Sequence, residues 1–416
     1  MPLFRFSQPI SPIAVDFGSA SVKVLQATVG DRPTIVAAAE IRVPDEIRGQ
    51  PLEARLDFLS DALAGVLRGG DFRGKRVVCA PPAGLMRVQH VQVAGGDATA
   101  ARGQVAATLE SQLQCLPGSL IVRSREVAET ARDGQVRGEH LAFAMGREDA
   151  MRHVDFFRRR GLQLVGMHGG IEAMVYAFDH LHRRSEDAEL TTLYVDLGWG
   201  ATKVAITHGT GTVFAKTVQL GGRHFDQVAA AALRCDPATA RARRISEAFL
   251  RADAPVPGRP VAAPARLAPE VEAPAMLRAA MLAAEPDPVA VATDRRRGVE
   301  PAALGVPVTP DAAAPTGGPD FSEIIESLAD ELSMCLRYHG AIFPGRRVDR
   351  AVFLGGEARQ LGLCRRLAAA LHVHAKAGDP LARMIGPETP AGLPEPEAPH
   401  PGWAVACGLL AAPVDL

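Results

Sequence analysis

The sequence predicts an α/β protein made of two duplicated halves of order βββαβα, with a small α/β module inserted into the first. Three observations carry that expectation. A turn is spelled twice, 180 positions apart: Val15-Asp16-Phe17-Gly18 leads to Lys23, and Val195-Asp196-Leu197-Gly198 leads at the same interval to Lys203. Each copy lies between short apolar runs and is followed by the same succession of strand-like and helical patterns. The stretch 251–319 breaks sharply in composition from everything around it.

In the first half, Ile13–Val15, Val22–Ala27 and Thr34–Val43 read as strands, separated by the Asp16–Ser19 turn and by Gly30-Asp31. Leu52, Leu56, Leu59, Leu63 and Leu67 recur at spacings of three and four, a helical stripe. Val77–Ala80 reads as a buried strand stopped by Pro81-Pro82. The second half repeats the order. Leu193–Val195, Lys203–Thr207 and Gly211–Leu220 are strand-like, Gly221-Gly222 ends the third, and His224–Leu233 is helical. A helix over Phe321–Phe343, a strand over Arg350–Leu354 ending in Gly355-Gly356, and helices over Leu361–Leu371 and Trp403–Leu410 complete it.

Residues 85–165 read as the inserted module: strands over Met86–Val93, Leu120–Val127 and His140–Met145, and helices over Ala98–Gln114 and Ala150–Arg160. Domain bounds follow: 10–185 for the first half with its insert, and 190–250 plus 320–416 for the second. Residues 251–319 hold 13 of the 32 prolines and no aromatic residue. Such a segment cannot bury enough apolar surface to offset its conformational entropy, and is expected to be a disordered Pro/Ala-rich insertion.

Composition excludes several classes. Lys plus Arg is 46 against 47 for Asp plus Glu, so no net field selects nucleic acid or acidic lipid. The six cysteines form no Cys-x-x-Cys pair, which suits a reducing compartment and core packing. No leader and no stretch of roughly 20 apolar residues is seen, so the expectation is a cytoplasmic protein that reaches a membrane only through a partner.

The duplicated turns carry the chemistry. A carboxylate at a strand end, Asp16 or Asp196, can hold Mg²⁺, which favours one or two carboxylates plus phosphate oxygens. Gly18 lets the chain turn tightly, and the amides from Gly18 through Ser19 and Ala20 to Ser21 can form an anion nest. The second turn offers Gly198, Trp199, Gly200 and Thr202 in the same role. Lys23 and Lys203 supply point charges to phosphates. Gly355-Gly356 is a third glycine turn, followed by Glu357. One Asp-x-Gly alone reads better as a plain hairpin turn. Two with matching intervals favour a phosphate clamp.

These segments resemble the superfamily of actin, heat-shock-chaperone and sugar-kinase ATPases. Asp16–Lys23 is similar to its first phosphate motif, Asp196–Lys203 to its second, and Phe353-Leu354-Gly355-Gly356 to its adenosine motif. That implies an actin-like (ribonuclease H-like) fold, and the position of the insert resembles the FtsA/PilM branch. The PilM family of type IV pilus assembly is the nearer resemblance. It rests on Ile13–Val24, on Ala106–Pro117 with its Gln-Cys-Leu-Pro, on Gly166–Ala177 and Val218–Gly222, and on Asp379-Pro380 with Trp403–Leu409. The resemblance implies ATP and Mg²⁺ as cofactors. It implies a groove beside the insert for the cytoplasmic peptide of a PilN-like inner-membrane protein, and connection to the pilus motor and alignment complex. Three positions depart from the family: no carboxylate in Ala240-Arg241-Ala242-Arg243-Arg244, Glu357 after Gly-Gly, and Trp199 in the second turn. Two alternatives stay open, a nucleotide-independent scaffold and an FtsA-like cell-division protein. The ending Leu409–Leu416, with Pro413 and no basic residue, is unlike FtsA's terminal amphipathic helix.

Hydrolysis needs a group that positions water. Glu172, on the helix joining the halves, and Asp196 are the candidates. For Glu172 the alternative is a carboxylate stabilised by a helix N-terminus. His90, His153, His168 and His208 read as surface or packing residues.

Overall fold

The computed structural model describes residues 8–94, 97–132, 135–181, 185–246, 318–385, 393 and 398–414. The expected Pro/Ala-rich insertion, through residue 317, lies outside them.

The first half opens with β1 (Ile13–Phe17), β2 (Ser21–Ala27) and β3 (Ile35–Arg42), an antiparallel meander whose alternate apolar side chains face two cores. A short α1 (Asp45–Arg48) and α2 (Leu52–Gly69) follow; α2 buries Leu56, Leu59 and Leu63, the expected helical stripe. β4 (Arg76–Ala80) then pairs parallel to β1. The inserted sheet comprises β5 (Met86–Ala94), β6 (Leu120–Arg132) and β7 (Gln135–Gly146), with α3 (Ala98–Gln112) after β5. α4 (Arg147–Arg158), β8 (Gln163–Met167) and α5 (Gly170–Tyr176) return the chain to the first half.

The second half runs β9 (Thr191–Leu197), β10 (Thr202–His208), β11 (Gly211–Val218), α6 (Gly222–Leu233) and α7 (Pro237–Ser246). It resumes with α8 (Ser322–Ile342), β12 (Arg350–Leu354), α9 (Leu361–Leu371), β13 (Ala375–Ala377) and α10 (Ala404–Leu409). The two main sheets have the same topology. Their orders are β3-β2-β1-β4-β8 and β11-β10-β9-β12-β13, antiparallel in the first three strands and parallel in the last two. The duplication seen in the turns therefore extends to the whole strand order.

The halves exchange helices. α10, from the second half, packs on β1, β2 and β4, and α5, from the first, packs on β10 and β11. The two helices cross at Gly408, where a Cβ would overlap the Ala173 carbonyl. Together with Leu25, Phe178, Tyr194, Val352 and Trp403 they build a core common to both sheets. Close-packed interiors transmit small displacements, so the halves are mechanically joined at this point.

The insert forms a β5-β7-β6 antiparallel sheet. One face is covered by α3 through Ala101, Val105 and Leu109; the helix ends at Gln112, two residues before its expected limit. The other face places Leu141 and Phe143 against the common core. α4, which the sequence grouped with the insert, packs instead in the first half: Phe156 and Phe157 meet Phe17 edge-on in the core beneath β1. The reason is the aromatic pair at its C-terminal end, which matches the apolar side of the sheet. The four histidines are packed groups. His90 stacks on Phe214, His153 bonds the Asp149 carbonyl, His168 bonds the Pro413 carbonyl, and His208 meets His339 at 2.9 Å.

Candidate functional site

The two hairpins share one register. Asp16 opposes Lys23 across β1 and β2, and Asp196 opposes Lys203 across β9 and β10. Residues directly opposite on antiparallel strands share a face, so each carboxylate lies beside its lysine. The turns themselves match: a Cβ on Gly18 would lie 2.5 Å from the Ser21 carbonyl oxygen, and one on Gly198 would lie 2.7 Å from that of Ala201. They touch across the interface of the halves, because a Cβ on Gly200 would lie 2.8 Å from Ser19 Oγ. Both line a single cleft of about 610 Å³, within the size range of small-molecule sites.

Within that cleft the pairs differ. Lys203 Nζ lies 2.6 Å from Asp196 Oδ2, a closed and buried ion pair. Lys23 donates to Ser21 Oγ at 3.0 Å and lies 3.8 Å from Glu40. Asp16 is left with weaker compensation. Burial pushes its carboxyl above the ordinary value, against the attraction of Lys203 and then of Lys23, and Asp196 adds to the rise. Burial alone would lower the Lys203 ammonium, but Asp196 and then Asp16 outweigh it and hold it charged. Lys203 thus answers to carboxylates of both halves. Gly170, opening α5, leaves it room: a Cβ there would sit 3.1 Å from Nζ.

A further wall of the cleft is formed by α7 and the Gly355-Gly356 turn. Gly355 has φ of 85°, and a Cβ there would collide with the Asp196 carboxylate and the Leu197 carbonyl. Only glycine tolerates both conditions. Behind this wall Arg244, with no exposed surface, is bound on two sides. It donates to Asp226 at 2.9 and 2.7 Å and to Glu357 at 2.7 and 3.1 Å. Burial works against its charge, but the bonds to Glu357 and then Asp226 outweigh it. Forked donation to two carboxylates is the geometry that suits guanidinium. Trp199 donates its indole N–H to the other Asp226 oxygen at 2.7 Å, and Arg48 from the first half covers its ring at 5.0 Å. A chain of contacts so links α7, the second turn and α1.

Of the residues expected at the site, Asp16, Gly18, Ser19, Ala20, Ser21, Lys23, Asp196, Gly198, Trp199, Gly200, Lys203, Gly355, Gly356 and Glu357 line this cleft. Thr202 does not; it is fully buried and its hydroxyl donates to the Leu220 carbonyl at 2.8 Å. Glu172 sits on the other side of α5, within the influence of Arg125 and Arg123 of the insert; burial raises its carboxyl, and those two charges oppose the rise. Glu357 faces the cleft, but both of its oxygens accept from Arg244. Sequence reasoning missed Glu40, Arg48, Asp226 and Arg244. Glu40 lies within β3 and Arg48 at the end of α1, neither in any motif, and the run Arg243-Arg244 gave no sign that one arginine turns inward.

No family model and no curated protein matches the chain. Solved structures do. A chain of a PilM–PilN type IV pilus biogenesis complex aligns with a TM-score of 0.67 at 15% identity, covering 97% of this chain and 98% of that one. The ethanolamine utilization protein EutJ of Carboxydothermus hydrogenoformans aligns at 0.45 and 12% identity, over 97% and 90%. Component A of the (R)-2-hydroxyglutaryl-CoA dehydratase of Acidaminococcus fermentans aligns at 0.42 and 11%, over 97% and 98%. The fold is actin-like, in the form found in the PilM–PilN complex.

Proposed function

We propose that this chain is an actin-fold assembly protein of a type IV pilus or related type II secretion apparatus. In this reading it binds ATP with Mg²⁺ in the cleft and holds the cytoplasmic peptide of a PilN-like inner-membrane partner, linking it to the pilus motor and alignment complex. The observation that carries the reading is likeness over nearly the full length of both chains to the PilM–PilN structure, insert included. Among the described residues no helix is long and apolar enough to cross a membrane; attachment through a partner accords with that.

The cleft supports the nucleotide. Asp16 fits Mg²⁺: a buried carboxyl, under-compensated and beside a second carboxylate, gains from a cation that brings phosphate oxygens with it. Bound there, the ion would neutralise phosphate charge. Amides of the Gly18–Ser21 turn and the Lys23 ammonium would hold phosphate, Lys203 would screen both walls, and Gly355-Gly356 would admit the nucleoside. Asp196 is occupied by Lys203 and Glu172 faces the insert, so turnover should be slow. Glu172 instead lies at the junction of α5 with the insert, beside the groove proposed for the partner peptide.

A second reading, a scaffold without nucleotide control, draws on the closed Lys203–Asp196 pair and on the use of Asp226 and Glu357 by Arg244. One experiment separates them. Thermal unfolding with and without MgATP, combined with titration of a PilN-like cytoplasmic peptide, should show a MgATP-dependent rise in Tm and peptide binding. Peptide binding with no MgATP effect would leave the scaffold; no peptide binding would sink the assembly role.

A further inference from the structure

The α7 wall of the cleft is lined unlike the twin turns. α7 presents Ala238, Arg241, Ala242 and Ile245 to the cavity. Spacings of three and four put these four on one helical stripe. The two alanines leave a flat space, and Arg241 is the charged residue of the stripe. Arg244, one turn on, is committed to Asp226 and Glu357. The carboxylates nearest α7 are therefore spent: Glu357 on Arg244, and Asp226 on Arg244 and Trp199.

Arg241 itself has no hydrogen-bond or ion-pair partner among the described residues. Arg48, which lines the same cleft from the first half, is disfavoured in its charged form first by burial and next by Arg241, with Asp45 and then Asp226 partly offsetting this. The two guanidiniums line one cleft from separate halves. Arg48 is already engaged by Asp45, the Val43 carbonyl and the Trp199 ring, so Arg241 is the guanidinium whose donors are left to the cavity. A ribose diol is read best by a carboxylate, which accepts from both hydroxyls; a phosphate on the ribose is read by arginine, which donates to it in a fork.

We propose that the cleft takes a nucleotide phosphorylated on its ribose as well as at the 5′ position, with Arg241, aided by Arg48, reading the ribose phosphate. The inference rests on the reading of the cleft as a nucleotide site and names its ligand class. The 5′ phosphates would occupy the twin turns near Lys23 and Lys203, which directs the ribose toward α7. Arg241 then acts as a specificity residue.

Calorimetric titration of the full chain with Mg²⁺ present tests this, comparing ADP with its 2′- and 3′-phosphorylated forms. At least one ribose-phosphorylated form should bind about tenfold more tightly than ADP, as expected for a charge-assisted contact. In Arg241→Gln the ratio should fall toward one. Arg243→Gln, which removes the same charge from the exposed side of α7, should keep the ratio. Equal affinity for all three ligands overturns the inference and leaves the nucleotide cleft standing. A preference that survives Arg241→Gln overturns it as well, and binding of none of them overturns both.

Discussion

Asp16 and Asp196 are the same residue in two copies of one hairpin, yet they differ in what neutralises them. Lys203 closes on Asp196, whereas Lys23 turns to Ser21 and Glu40. Burial therefore raises the Asp16 carboxyl above its ordinary 3.8. A carboxyl raised in the folded state holds its proton more tightly there than when unfolded. Its stabilising contribution is present below about pH 3.8 and is lost as pH rises through the raised value. At neutral pH its buried charge costs stability. Asp16→Asn should accordingly raise the Tm of the ligand-free protein, by about 1–3 °C for a chain of this size, while removing the Tm shift with MgATP. A drop in Tm, or a preserved MgATP shift, would remove Asp16 from the site. That Asp16 ends one strand and Lys23 lies on the next was legible, because the apolar runs and the turn between them mark both strands. Which lysine closes was not, since that depends on Lys203 standing between carboxylates of two halves.

At the scale of elements, α7 is the instructive case. The sequence showed a run of basic residues, Arg241, Arg243 and Arg244, and no more. In the structure one of them, Arg244, ties α7 to α6 through Asp226 and to the glycine turn through Glu357. Removing one member of a buried charge cluster leaves the others uncompensated, at a cost of about 3–5 kcal/mol. Arg244→Ala should show that loss in chemical denaturation, with faster amide exchange along α7. Arg244→Lys should not restore it, because an ammonium cannot fork to two carboxylates. A wild-type unfolding midpoint in Arg244→Ala would mean that the cluster does not hold the wall. α4 teaches the same point about boundaries: its helical pattern was readable, but its allegiance was decided by the contact of Phe156 and Phe157 with Phe17.

Across the whole molecule, the insert is attached to both halves. Its Phe143 joins the common core, and its buried Glu139 accepts from Tyr338 of α8 at 2.8 Å, beside His90 stacked on Phe214. A partner peptide held beside the insert would thus lean on a module that contacts the second half directly. Binding at one site shifts the other only through differential contacts of this kind. Tyr338→Phe deletes the hydroxyl and keeps the ring. It should cost about 1–3 kcal/mol, the scale of a buried acceptor losing a donor. It should also reduce the effect of MgATP on peptide affinity measured by titration. An unchanged linkage would place the coupling elsewhere, with the α5–α10 crossing at Gly408 the next site to examine.

By itself the sequence determined the duplicated hairpins, the order of the main elements along both halves, the existence of the insert and the residues of the glycine turns that line the cleft. These follow from local rules, since apolar period sets the element and turn chemistry sets the register. Tertiary structure alone decided the exchange of α5 and α10 between the sheets, the inward turn of Arg244, the placement of Glu172 away from the cleft, and the presence of Arg48 and Arg241 in one cleft. Those outcomes depend on which groups are desolvated together after distant segments pack, and no spacing along a chain encodes that distance.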